Sequence, residues 1–277
     1  MTSKSPMNKN VSVVMTTYDG DTVSDLDECF ESLIHQTRQP DEVLVVRGND
    51  LRTELEETII EFESTTGFTV RDISITERGR GYARKVGIKK ASSEFVAIID
   101  SDDIACPNRI QDQLEYLCEN PSIDVVGGYI EEFETVPEEI IGVREVPTNP
   151  DDVERMAYYR CPINHPTVMF RRYAVIEVGN YREMEYGEDY ELWCRLLANN
   201  KNIDNIPKVL VKARASGLIG RRRGRRIARH EIELQRAIVR SGFYGWSTAV
   251  LNLGVRIPLR LLPERLVRGF YYKFLRT

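Results

Sequence analysis

The chain has 277 residues, 42% hydrophobic and 29% charged, which is too apolar for a disordered protein and long enough for one large domain or one domain with an appendage. No apolar run approaches the ~20 residues that span a bilayer, and the opening MTSKSPMNKN lacks the apolar centre of a signal peptide. The formal net charge of -5 hides a division: residues 1–200 hold 20 basic and 39 acidic side chains, residues 201–277 hold 18 basic and 4 acidic.

Val11–Met15 is a short β-rich apolar run, as expected of a buried strand. Residues 22–37 follow with Leu26, Cys29, Phe30, Leu33 and Ile34 at helical spacing. Thr22 or Ser24 can cap that helix, because a side-chain oxygen there accepts from its free first-turn N–H groups. Val43–Val46 predicts a second strand, residues 52–63 a helix, Phe68–Ile75 a third strand, residues 80–91 a helix and Phe95–Ile99 a fourth strand. Pro107 opens a helix to about Glu119, at a position where proline loses no needed hydrogen bond. This alternation implies an α/β fold, a mainly parallel sheet with helices on both faces. Beyond it, Ile123–Phe133 and Ile140–Val146 read as strands joined by an acidic loop, and residues 150–159 as a short helix. Thr167–Phe170 reads as a strand, residues 188–199 as a helix and Val209–Ala213 as one more strand. From Arg221 onward the chain reads as helix throughout.

Ligands of such sheets bind beyond the carboxyl ends of the strands. That directs attention to Thr16-Thr17-Tyr18-Asp19, Arg47-Gly48-Asn49-Asp50 and Asp100-Ser101-Asp102-Asp103. The last puts three carboxylates after an apolar strand. Their hard oxygens suit Mg²⁺ or Mn²⁺, and an acidic turn capping the next helix would read the same way. In Tyr186–Trp193, Glu188 and Asp189 start a helix whose buried side carries Leu192, Trp193, Leu196 and Leu197. Carboxylates there either complement the helix dipole or aim a general base into the cleft. In Cys161–Phe170, Pro166 holds His165 extended at the mouth of a strand, which predicts an exposed, directed imidazole. Gly79–Arg84 lacks the third glycine of a dinucleotide fingerprint and does not follow the first strand, which argues against hydride transfer. Arg80 and Arg84 can still turn towards phosphates.

Taken in order, Val11–Tyr18, Asp41–Val46, Ala83–Ile88, Phe95–Asp103, His165–Arg172, Gly179–Tyr181 and Glu188–Trp193 resemble the family 2 glycosyltransferases, whose nucleotide-sugar-binding fold is called GT-A. The resemblance spans about residues 10–215, and the His165-Pro-Thr segment with the arginine-rich stretch looks most like the branch that builds exopolysaccharide, lipopolysaccharide and other surface glycans. It implies a GT-A catalytic domain over residues 1–215, Rossmann-like with its sheet flanked by helices, and a basic helical extension over 216–277. It implies donor contacts from Thr16, Thr17, Tyr18, Arg47, Arg84, Asp100 and His165. Asp102 would bind Mg²⁺ or Mn²⁺, with Asp103 close to it and Asp100 near the ribose or metal. Asp189 looks like the catalytic base and Glu188 like its neighbour. Two positions depart from many relatives, which have Asp where this chain has Arg47 and Asn where it has Lys85. The implied reaction is inverting, metal-dependent transfer of a sugar from a nucleotide-diphosphate donor to a glycan or lipid-linked acceptor hydroxyl.

Two other readings stand beside it. A sugar-1-phosphate nucleotidyltransferase would show a Gly-rich, Arg/Lys-containing loop after the first strand, where this chain has Thr16-Thr-Tyr-Asp-Gly20. A non-catalytic, membrane-associated GT-A-like binding protein would not need intact acidic motifs. Nucleic acid is not the expected partner of the Gly220–Arg226 cluster, because the acidic body would repel it and no recognition motif accompanies it. Donor phosphate or a membrane surface is. Leu262, Leu266, Phe270 and Phe274 recur every four residues with Arg265, Arg268 and Arg276 mostly opposite. That describes an amphipathic basic helix, lying on an anionic membrane or packed on the catalytic domain or a partner subunit. The five cysteines form no CxxC pair, so neither disulfides nor a zinc site is expected, and a cytoplasmic setting is, at the inner face of the membrane if the tail binds lipid.

Overall fold

The computed structural model describes residues 9–77, 79–215 and 224–262. Strands β1 (Val11–Thr17), β2 (Glu42–Gly48), β3 (Thr69–Ile75) and β4 (Phe95–Asp100) pair in parallel in the order β3-β2-β1-β4. β8 (Met169–Arg171) runs antiparallel between β4 and β6 (Val125–Phe133), and β9 (Ile203–Arg214) continues the sheet parallel to β6. The short β5 (Ile104–Ala105) pairs with β9, and β7 (Ile140–Arg144) with the far half of β6.

Side chains alternate across each strand, so the two faces are lined by different residues of one run. Val11, Val13 and Met15 of β1 pack with Leu26 and Leu33 of α1 (Val23–Ile34), Leu55 and Ile59 of α2 (Thr53–Thr65) and Leu114 of α4 (Arg109–Glu119). Val14 turns to the other face, with Ala83 and Ile88 of α3 (Arg80–Lys90) and Leu192 and Trp193 of α7 (Glu188–Ala198). β1, β2 and β4 are covered on both sides, which is why their centres read as apolar runs, and the buried Ser12 of β1 donates to Glu42 of β2. The remaining helices of the body are α5 (Pro150–Ala157) and α6 (Arg172–Glu177).

Several boundaries differ from the sequence expectation. Thr22 is the cap of α1, its side chain accepting from the Asp25 N–H. α4 starts at Arg109 rather than at Pro107, with Asn108 as its N-cap. β9 begins at Ile203, well before Val209; its pairing with β6 slips around Pro207, which has no N–H for the ladder. Thr167 belongs to a short 3₁₀ turn, His165–Thr167, and not to a strand. The C-terminal helix is broken: α8 (Arg225–Ser241) ends at Gly242, φ 83°, and α9 (Trp246–Leu261) follows Gly245. Glycine accepts that left-handed cap without a Cβ penalty. Leu234, Ile238, Phe243 and Ala249 of this pair share a cluster with Ala157 of α5 and Tyr190 and Cys194 of α7. Arg221–Arg223 and the stripe from Leu266 to Phe274 lie outside the described residues. Among the described residues, no helix is long and apolar enough to cross a membrane.

Candidate active site

Strand register gathers the polar ends of three strands at one edge. Thr16 lies beside Asp100 across β1 and β4, and Thr17 beside Arg47 across β1 and β2. The second acidic motif arrives there from a distant part of the chain, through α7. Its N-cap is Gly187, φ 74°, where an added Cβ would meet Leu234 of α8 at 2.6 Å. Only glycine combines that left-handed backbone with so close a neighbour.

Arg84 joins the two motifs. Its Nη2 donates to Asp100 Oδ1 and its Nη1 to Glu188 Oε1, each at 2.7 Å. The Arg84 side chain is 5% exposed. Burial works against its charge, and the carboxylates of Asp100 and Glu188 outweigh that, so its pKa is raised. Burial likewise opposes ionisation of Asp100, and the charge of Arg84 prevails, holding it at about 2. Glu188 moves the other way: burial, then the charge of Asp189, raises its pKa against the pull of Arg84. Gly81, one turn before Arg84, makes this approach possible, since a Cβ there would stand 2.4 Å from the Arg182 carbonyl oxygen and 3.6 Å from Glu188 Cβ.

The other expected residues fall into three groups. Thr16, Thr17 and Tyr18 line the end of β1, with Thr17 buried and Tyr18 exposed. Arg47 reaches the same edge with its guanidinium already paired, to Asp72 at 2.9 Å and Glu56 at 2.7 Å. His165 corrects the expectation of an exposed imidazole: it is 8% exposed, begins the 3₁₀ turn, and sits with its Nε2 3.0 Å from the Tyr181 hydroxyl and its ring near Trp193. Pro166 is as much at home in the first turn of a helix as in an extended segment, because its missing N–H is not needed there. Burial and then the charge of Arg84 lower the His165 pKa to about 4, so it is neutral at pH 7.

The three aspartates after β4 diverge. Asp100 takes Arg84, while Asp103 is buried and accepts the Arg214 N–H at 3.0 Å. Burial, then Asp100 and Asp102, push the Asp103 pKa well up. Among the described residues no three His, Cys, Asp or Glu side chains are grouped to hold a metal ion. The expected trio is therefore no preformed cage. Hard carboxylate oxygens from Asp102 and Asp100 still fit a magnesium-type ion, which takes one or two protein carboxylates and completes its shell with water and phosphate.

Sequence reasoning missed three supports. Asp21 is buried and its Oδ2 accepts from the hydroxyls of Ser101 at 2.5 Å and Thr17 at 2.8 Å and from the Tyr18 N–H at 3.2 Å, tying the turn after β1 to the turn after β4. Its place four residues after Thr17, in an Asp-Gly-Asp turn, was the available signal. Glu191 is fully buried and binds Arg195 and Arg182, each at 2.8 Å. Arg195 Nη2 also donates to the Asn180 carbonyl, which pins the segment leading into α7. The Glu191–Arg195 spacing of one helical turn was visible, whereas Tyr181 as a partner of His165 was not.

The chain matches the model of Glycosyl transferase family 2 over residues 12–179. It belongs to that family. It is 35% identical to an uncharacterized glycosyltransferase of Haemophilus influenzae, over 96% of this chain and 98% of the other. It is 32% identical to the UDP-Gal:alpha-D-GlcNAc-diphosphoundecaprenol beta-1,3-galactosyltransferase of Escherichia coli, over 95% of this chain and 94% of that one. A mannosyltransferase from Pyrobaculum calidifontis, solved in complex with GDP-Man and Mn²⁺, matches with a TM-score of 0.68 and 16% identity, covering 96% of this chain and 76% of that chain. That likeness speaks to the fold, which is GT-A. The chain is a glycosyltransferase, and the nucleotidyltransferase and binding-protein readings are set aside.

Proposed function

We propose that this glycosyltransferase inverts the anomeric carbon as it moves a sugar from a nucleotide-diphosphate donor to a hydroxyl of a glycan or lipid-linked acceptor, with Asp189 as general base. The observation that carries this reading is the Arg84 bridge. It brings the acidic turn after β4 and the acidic start of α7 to one buried guanidinium, which supports their acting on one substrate pair. Asp102 with Asp100 would hold the divalent cation, which when bound neutralises the diphosphate leaving group as a Lewis acid. The Mn²⁺ in the P. calidifontis mannosyltransferase supports that role. Thr16, Thr17, Tyr18 and Arg47 border the donor at the ends of β1 and β2.

Asp189 takes the proton of the acceptor hydroxyl as its oxygen bonds to C1. The bond from C1 to the donor phosphate breaks on the opposite face, and its electron pair leaves with the nucleoside diphosphate. One displacement needs no protein nucleophile, and it inverts the configuration at C1. Glu188 positions this base, since its own carboxylate is held by Arg84 at the first turn of α7. A neutral His165 braces Tyr181 instead of adding positive charge to phosphate. The E. coli relative, named for a diphosphoundecaprenol-linked acceptor, supports a lipid-linked acceptor and with it a place at the cytoplasmic face of the membrane.

The test is nucleoside-diphosphate release from UDP-, GDP- and dTDP-sugars with Mg²⁺ or Mn²⁺ and a lipid-linked glycan acceptor. Asp189→Asn is expected to lower kcat by ~10²–10⁴-fold with donor affinity kept. Asp102→Asn is expected to abolish the metal dependence of donor binding. Wild-type turnover in Asp189→Asn would remove the base assignment, and retention at C1 by NMR of the product would overturn inversion.

A further inference from the structure

The acidic pair Glu188 and Asp189 lies between two tyrosines, Tyr186 before it and Tyr190 after it. A guanidinium lies over each ring, within the range of a cation–π contact. Arg260 stands 5.3 Å from the centre of the Tyr186 ring and donates to its hydroxyl. Arg256 stands 5.1 Å from the centre of the Tyr190 ring. Both arginines belong to α9, and both turn to one carboxylate of α8. Glu231 Oε1 accepts from Arg256 Nη1 at 2.7 Å, and its Oε2 lies 3.5 Å from Arg260 Nη2. Glu231 itself is fully buried.

The hold reaches the acidic pair directly. Asp189 Oδ1 accepts the Tyr190 N–H at 2.7 Å, and the Tyr190 hydroxyl donates to the Ala157 carbonyl at 2.6 Å. Tyr190 is thus tied at its backbone to Asp189 and at its tip to the end of α5, with Arg256 across its face. A buried carboxylate with two arginines is a poor way to gain stability. Taking the charges out of water offsets most of their attraction, and apolar side chains of similar volume would hold two helices at least as well. α9 has such side chains and leaves them exposed, at Trp246, Val250, Leu251 and Val255, while Asn252, Arg256 and Arg260 turn inward. What the charged triad supplies and an apolar contact would not is direction. A planar guanidinium fixed by Glu231 sets the lie of the ring it covers.

We propose that Glu231 is a positioning residue for the base: through Arg260 on Tyr186 and Arg256 on Tyr190 it clamps both flanks of Glu188 and Asp189 and sets the aim of the Asp189 carboxylate. This role rests on the reading of Asp189 as general base. It gives α8 and α9, which lie outside the span of residues 1–215 expected to form the catalytic domain, a part in the chemical step.

The test is steady-state kinetics of the full chain in the nucleoside-diphosphate release assay, with the UDP-, GDP- or dTDP-sugar that it turns over and the lipid-linked glycan acceptor, well below the melting temperature of every variant. Tyr186→Phe keeps the ring under Arg260 and removes only the hydroxyl, so it decides the matter even where a change at Glu231 unfolds the helix pair. It should lower kcat about tenfold and leave the KM for donor within about twofold, because a misaimed base slows the chemistry without touching the donor. Glu231→Gln should lower kcat about 10²-fold, and Glu231→Asp, which keeps the charge, should recover part of that loss. In an Asp189→Asn background Tyr186→Phe should add less than about a twofold loss, since no base is left to aim. Wild-type kcat in Tyr186→Phe while Asp189→Asn is inactive would overturn the clamp alone. A full tenfold loss in the Asp189→Asn background, or a loss that appears in the KM for donor, would overturn it as well. Wild-type turnover in Asp189→Asn would remove the base and this role with it.

Discussion

Replacing Arg84 tests the link on which the site depends. In Arg84→Ala, Asp100 and Glu188 lose a shared cation, each losing a 2.7 Å charge-assisted bond in a place where Arg84 itself is only 5% exposed. Breaking a buried pair by removing one partner costs about 3–5 kcal/mol, because the remaining charges stay desolvated. For a chain of this size each kcal/mol lowers Tm by about 2–4 °C, so a fall of roughly 10 °C is expected. Arg84→Lys should recover less than half of it, since one ammonium cannot reproduce a fork that addresses two carboxylates from separate nitrogens. The discriminating measurement is a double-mutant cycle by calorimetry. Glu188→Gln removes one of the stranded charges, so Arg84→Ala in that background should cost about 1.5–3 kcal/mol less than in the wild type. Turnover should fall about 10²-fold in Arg84→Ala, the scale of a displaced catalytic group. Additive losses in the cycle, or an Arg84→Ala cost below about 1 kcal/mol, would refute the bridge.

Three other outcomes follow from the same geometry. Gly81→Ala places a Cβ 2.4 Å from the Arg182 carbonyl oxygen, and the forced shift should cost about 1–3 kcal/mol and lower turnover with it, measured by melting and nucleotide release. Asp21→Ala removes the oxygen that accepts from Ser101, Thr17 and the Tyr18 N–H, so donor affinity by titration calorimetry should weaken about tenfold if that loop holds the nucleotide. Burial tends to raise the Glu42 pKa, but bonds from Ser12 and Ser92 lower it below its ordinary value. A depressed carboxylate stabilises above its unfolded pKa and loses that contribution as pH falls through the folded value. Glu42→Gln should therefore cost about 1.5–3 kcal/mol at pH 7 and progressively less below about pH 4, and a pH-independent deficit in Tm would rule this out.

β1, β2 and β4 were legible because strands covered on both faces leave short, mainly apolar runs, and β3 because its buried Val70 and Ile73 stand among β-branched residues. β5 has two residues and α6 six, too few to show either period. The break before α9 was written as Gly242 and Gly245, but a helical run of arginines and leucines on each side masked it. At the site, the strand-end rule named the edge where Thr16, Asp100 and Arg47 gather, while the residues' partners stayed hidden. Arg84 meets Glu188 across 104 positions, and no local pattern reports such a pairing. His165 shows the limit of reading a flank: Pro166 constrains the backbone, but the rings of Tyr181 and Trp193 decide exposure.

The basic surplus of the last 77 residues divides along the same lines. Part of it neutralises carboxylates, of the acidic body and of the tail itself. Arg214 pairs with Asp25 and Glu28, Arg226 with Glu185, and Arg256 and Arg260 turn to the buried Glu231. Arg260 also donates to the Tyr186 hydroxyl, next to the Gly187 that Leu234 of α8 abuts. The helix pair thus props the start of α7, where Glu188 and Asp189 sit. The same inward arginines oblige the apolar side of α9 to face out. A change that strips Glu231 of its charge would remove the reason for both arrangements at once. That physical link couples the lie of α9 to the position of the proposed base, through the buried carboxylate of Glu231 and the contact of Arg260 with Tyr186.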